Sequence, residues 1–151
     1  MDIEGMRKLI EAHGHGEMGR DWDLTLSTMT DDCVYRFYPY RLQVTGVEAQ
    51  TAVWSRFFTE AGPIPCFDRS ARLAENAEVT EYATDDSLLR VMSSSFLAPD
   101  GSCPSSTHIT RFDFRDGLVS GECVFFDATF MRWTDGVFDD EFRALPGVVQ
   151  L

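Results

Sequence analysis

Over residues 2–17 apolar side chains return every three or four positions. Ile3, Met6, Leu9 and Ile10 fall on one stripe at about 100° per residue, with His13 near the stripe's centre. The pattern predicts a first helix capped by Asp2. Gly14 and Gly16 each cost a helix interior about 1 kcal/mol, so its last turn frays, bends or needs room against a neighbour. A short second helix is predicted from Asp21, its cap, with Trp22, Leu26 and Met29 inward and Thr30, Asp31 and Asp32 ending it. The period then shortens to two. From Cys33 to Tyr38, Cys33, Tyr35 and Phe37 share one face and Val34, Arg36 and Tyr38 the other, and the charge on Arg36 marks the outer face. Pro39 breaks that strand. Residues 47–62 predict a third helix with Val53, Trp54, Phe57, Phe58 and Ala61 inward, closed by Gly62 and Pro63.

From about Phe67 the chain reads as strands and turns, the turns at Thr84 to Ser87, Pro99-Asp100-Gly101 and Arg115-Asp116-Gly117. The runs SLLRVMSSSFL, SSTHITRFDF and LVSGECVFFDATF predict paired antiparallel strands. Alternation sets His108, Thr110, Phe112 and Phe114 against Ile109, Arg111 and Asp113. Phe138, Phe142 and Leu145 lie at helical spacing in the tail, predicting a terminal helix ended near Pro146. Helices first and an antiparallel sheet second define an α+β chain whose one-sided sheet wraps the helices, an arrangement that leaves a cavity. The 151 residues suit one domain, 1–151, with no internal repeat.

Charge narrows the partners. A formal net charge of -12, with no basic cluster to offset it, argues against nucleic acid and against anionic membrane surfaces. No stretch approaches the roughly 18 apolar residues of a membrane span. The first residues lack the pattern of a secretory signal, so a cytoplasmic protein is expected. Cys33, Cys66, Cys103 and Cys123 form no C-x-x-C pair and no zinc spacing. The two in apolar strand patterns read as small buried hydrophobes.

The candidate chemistry lies with His13 and His108, two imidazoles aimed inward by independent periodicities, able to move a proton or to hydrogen-bond an oxyanion. The bland alternative is a pair of satisfied core histidines. Glu122 shares its parity with Val124 and Phe126, and desolvation would raise it toward a useful base. A one-residue bulge would instead turn Gly121, Cys123, Phe125 and Asp127 inward, so Glu122 and Asp127 compete for the proton-accepting role. Tyr35, Phe37, Trp54 and Phe58, with Thr110 and Phe126, form either a pocket wall or plain core. His13 and His15 diverge by about 200° on a helix, which argues against a metal pair, and Glu17, four residues after His13, reads as a surface acid. No metal or cofactor is expected.

Asp21-Trp22 opening the second helix, TDDCVY entering the first strand, the helix begun at Gly46, and RFDFRDG followed by GECVFFD together resemble the nuclear transport factor 2-like superfamily, and within it the SnoaL-like branch, over residues 3–130. The resemblance implies a cone-shaped curved antiparallel sheet wrapped around three N-terminal helices, a cystatin-like α+β barrel. It also implies a pocket for a small hydrophobic molecule and a homodimer through the outer sheet face. Ketosteroid isomerases, scytalone dehydratases, limonene epoxide hydrolases and polyketide cyclases share that fold, so fold does not fix function. Aligned on the isomerase pattern, His13 falls on the oxyanion-holding tyrosine, His108 on the protonated aspartate and Phe37 on the carboxylate base. Against scytalone dehydratase, Phe37 replaces a water-activating tyrosine and the catalytic histidine has no match. Asp127 matches the acid that closes the aromatic-aromatic-Asp motif of SnoaL-like chains. The expectation is a pocket protein acting as an isomerase, dehydratase or cyclase, in which His13 and His108 together polarise a carbonyl or hydroxyl. The alternative is a noncatalytic binding or dimeric accessory module.

Overall fold

The computed structural model describes residues 1–58, 78–95, 105–134 and 136–151. The order is α1 Ile3–Gly19, α2 Trp22–Ser27, β1 Met29–Tyr38, β2 Leu42–Thr45, α3 Val47–Phe57, β3 Glu78–Ala83, β4 Ser87–Ser95, β5 Ser105–Arg115, β6 Leu118–Phe126, α4 Ala128–Trp133, α5 Asp140–Arg143 and β7 Val148–Gln150. Ala61, Gly62, Pro63, the Pro99-Asp100-Gly101 turn, Cys66 and Cys103 lie outside the described residues.

Asp2 caps α1 by accepting from the Gly5 N–H at 2.8 Å, and Asp21 caps α2 through Leu24. Gly16 provides the room its position called for: a Cβ there would lie 2.8 Å from the Thr25 backbone nitrogen, so only glycine lets α1 and α2 pack this closely. At Gly14 nothing lies within 4 Å of that point.

Seven strands form one curved, open sheet in the order β3-β4-β5-β6-β1-β2-β7. It does not close into a barrel, because β3 and β7 remain edges. Nor is it antiparallel throughout, since β1 lies parallel to β6, with Phe37 opposite Val124. A parallel pair needs a long crossover, and here everything from β2 to β5 lies within that connection. Met29 and Thr30 to Asp32 belong to β1 rather than to the end of α2, because Thr28 terminates the helix and Met29 already faces inward, buried. The last strand stops at Phe126, where Asp127 caps α4. The terminal helix is a single turn carrying the buried Phe142. After it, Gly147 lies against Thr45 at φ 86° and leads β7 onto β2.

Register lays out the inner face as rows across the strands. Tyr35, Glu122, Phe112 and Leu88 align in one row; Phe37, Val124, Thr110, Arg90 and Glu81 in the next; Phe126, His108, Met92 and Val79 in a third. A bulge between Asp113 and Phe114 sets this parity. It lets Val119 face inward and still leaves Glu122, Val124 and Phe126 inward beyond it. Helices α1 and α3 cover the face with Met6, Ile10, Val53, Trp54 and Phe57. The Gln50 amide donates to the Cys33 carbonyl at 2.9 Å and fixes α3 over β1.

Candidate functional site

Between α1, α3 and the concave face lies a cavity of about 430 Å³. His13, Tyr35, Phe37, Trp54, Phe58, His108, Thr110, Glu122 and Phe126 all line it, so the aromatic residues serve as wall and core together. Exposed Glu11, His15 and Met18 on α1 mark its mouth.

One end of the cavity is a polar cluster around His13. The Thr28 hydroxyl donates to the Thr25 carbonyl at 2.5 Å, so its oxygen is left to accept from His13 Nδ1 at 2.7 Å, and Nδ1 carries a hydrogen. Nε2 then faces the Tyr35 hydroxyl at 2.8 Å, Glu17 Oε1 at 3.3 Å and Glu122 Oε2 at 3.9 Å. Burial opposes the imidazolium, but the Glu17 and Glu122 carboxylates outweigh it and lift His13 above the usual histidine range. Burial first, and the Glu17 charge second, push Glu122 up to about 8, against the opposing pull of His13 and Tyr35. Its side chain keeps 12% of its surface open. Burial likewise drives the Tyr35 phenol far above its ordinary value.

The nitrogen of His13 and the carboxylate oxygens of Glu17 and Glu122 lie within 4.8 Å of one another, the one such set of histidine, cysteine and acid ligand atoms among the described residues. Nε2 faces the Tyr35 hydroxyl and both carboxylates, so the arrangement reads as a proton-sharing cluster. Glu17, expected at the surface, belongs to it; the spacing of four residues from His13 was the available signal. His15 stands exposed, apart from the cluster.

His108 occupies the other end, beside Phe130 with ring centroids 5.6 Å apart. Burial lowers its pKa, only partly offset by Asp127, so the ring is neutral near pH 7. Its partner strand position is Phe126, four residues from Glu122, or about 13 Å along the sheet. The two histidines therefore share a cavity without converging on one point. Asp127 lies outside the cavity lining. It accepts from Phe130 N at 2.7 Å, Thr107 N at 2.7 Å and the Ser106 hydroxyl at 2.9 Å, which hold it below the usual carboxylate range although burial acts the other way. Three donors and the absence of a bulge between Glu122 and Phe126 keep it at the strand end.

Trp54 Nε1, His108 Nδ1 and Glu122 Oε2, all from cavity-lining residues, are buried polar atoms without a hydrogen-bond partner among the described residues. Arg90, which sequence reasoning passed over, also lines the wall; its parity with Leu88 and Met92 would have found it. Cys33 is a free thiol pushed by burial to about 12, as suits a core residue.

No protein-family model and no curated protein matches this sequence. Solved structures do. A nuclear transport factor 2-like protein from Burkholderia xenovorans, 11% identical, covers 85% of this chain and 94% of its own with a TM-score of 0.64. A putative polyketide cyclase from Xanthomonas campestris, 16% identical, covers 89% and 97% with a TM-score of 0.59. An epoxide hydrolase of the LEH-like type from M. tuberculosis, 16% identical, covers 86% and 90% with a TM-score of 0.55. The chain has the nuclear transport factor 2-like cone fold. Among the described residues no helix is long and apolar enough to cross a membrane.

Proposed function

We propose that the chain binds a small, largely apolar molecule in this cavity and catalyses a proton transfer on it, of the isomerase, dehydratase or cyclase type. The observation that carries the reading is the coincidence of three buried polar atoms without a hydrogen bond, on Trp54, His108 and Glu122, around one apolar cavity. Buried polar atoms are costly to leave unpaired, and a ligand with matching groups would pair them. Glu122 at about 8 is poised to give a proton as the acid or take one as the carboxylate near neutral pH. His13 and Tyr35 steady the charge left behind, while His108 and Trp54 hold polar groups elsewhere on the ligand. A putative polyketide cyclase and an LEH-like epoxide hydrolase among the structural neighbours are compatible with such chemistry on this fold.

Phe37 favours the alternative of a noncatalytic binding module, because it stands where the resemblance to ketosteroid isomerase would require the base. The reading includes a homodimer through the outer sheet face, where the exposed Phe125 ring stacks on the half-buried Tyr38 ring at 5.0 Å. Mass spectrometry of compounds released on denaturing the purified protein identifies the ligand. With that compound, Glu122→Gln should keep its ligand-induced thermal shift and lose about 100-fold or more in turnover. A Glu122→Gln variant as fast as the parent would sink the catalytic assignment. A compound bound by both proteins and converted by neither would establish the binding module.

A further inference from the structure

We propose that Arg90 anchors an anionic group of the ligand, so that the molecule taken by the cavity is an apolar ring body carrying one negative charge. The inference rests on the cavity reading above and adds the class of ligand. In a chain with 25 acidic and 13 basic side chains, a guanidinium facing an internal cavity runs against the general charge. Arg90 reaches that position because its strand neighbours Leu88 and Met92 have the same inward parity, and it lies in register with Thr110 on one side and Glu81 on the other.

The local charges are unbalanced. Arg90 Nε donates to Glu81 Oε1 at 2.7 Å, and Arg7 Nε, from α1, donates to the other oxygen of the same carboxylate at 2.8 Å. Burial works against the Glu81 carboxylate, yet the two guanidiniums hold it below the usual range. One acid serves two bases, so the network retains an excess positive charge. Arg7's other acid, Glu4, is 4.0 Å away and well exposed, where an ion pair contributes little.

The Nη atoms of Arg90 have no hydrogen-bond partner among the described residues, and its side chain is only 18% exposed. Nε and Glu81 fix the plane of the guanidinium, leaving the open edge as a preformed fork for a carboxylate or similar anion. Of the other charged groups on the cavity lining, Glu11 is exposed at the mouth, and Glu17 and Glu122 belong to the His13 cluster. Arg90 stands two strands across and two residues along from Glu122, roughly 12 Å, so a bound anion would be kept away from those acids by the length of the ring body.

A matched pair of fluorescent probes tests this: 1-anilinonaphthalene-8-sulfonate, and N-phenyl-1-naphthylamine, which has the same apolar body without the charge. The parent should bind both. Arg90→Met should lose about tenfold or more in affinity for the sulfonate and keep its affinity for the amine, and added salt should weaken only the parent's sulfonate binding. Arg90→Lys keeps charge but not the fork, and should fall between the two; it decides the matter if Arg90→Met does not fold. Equal losses for both probes, or no loss for either, would overturn the anchor while leaving the cavity reading standing. Failure of the parent to bind either probe would remove the cavity reading and the anchor with it.

Discussion

Glu122 is held by opposing forces that pH can separate. An unfolded glutamate titrates near 4.5, whereas burial and Glu17 raise the folded group to about 8. The native state therefore holds the proton more tightly than the unfolded chain, and stability must fall as pH rises through that interval. His13, also raised, acts in the same direction. We expect the parent to lose a few kcal/mol of unfolding free energy between about pH 5 and pH 8, and Glu122→Gln to lose much less, measured by denaturant titration at each pH. Parallel curves would show that Glu122 is ionised in the fold throughout. Much of the site's layout could be read from residues alone: stripe and parity aim His13, His108, Glu122, Thr110 and Phe126 inward, and all five line the cavity. Asp127 misled because a strand-end acid and a helix cap look alike until it is known which N–H groups lie beside it. Arg90 was passed over because a charge at an inward position reads as an outward one unless its partner, Glu81, is in view.

Periodicity is a local signal, and it served the elements it governs. The helices α1 and α3 and the strands β4 to β6 follow their apolar spacing. The start of β1 does not, because Thr30, Asp31 and Asp32 carry turn-like side chains while their backbone runs extended through the register shift between Met29 and Val34. The parallel contact of β1 with β6 joins segments far apart in the chain and leaves no local trace at all. Element-level packing predicts opposite fates for two neighbouring glycines of α1. Gly16→Ala would drive a methyl group into the Thr25 backbone and should cost about 1 to 3 kcal/mol. Gly14→Ala meets open space in a helix interior and should stabilise by about 0.5 to 1 kcal/mol, while narrowing the cavity by one methyl group. Denaturant unfolding of the two variants measures both, and equal effects would refute the close approach of α1 to α2.

At the scale of the whole molecule, one face of the sheet lines the cavity, and the proposed homodimer would use the other. The inner face carries Glu122, Thr110 and His108; the outer carries Arg36, Tyr38, Cys123 and Phe125, with Phe125 42% exposed. A large aromatic ring left half open beside a second one costs solvation, and burying the pair against a second copy would recover it. Because the cavity mouth lies on the α1 side, a dimer through the outer face would leave the mouth free and couple only weakly to ligand binding. Phe125→Asp, which places a charge in that contact, should convert a species of twice the 17.1 kDa chain mass to a single chain in sedimentation equilibrium. Binding of N-phenyl-1-naphthylamine should be unchanged in the same variant. A parent that sediments as one chain would refute the outer-face dimer, and a variant that loses the probe together with the partner would mean that the cavity is completed across the interface, not by the inner face alone.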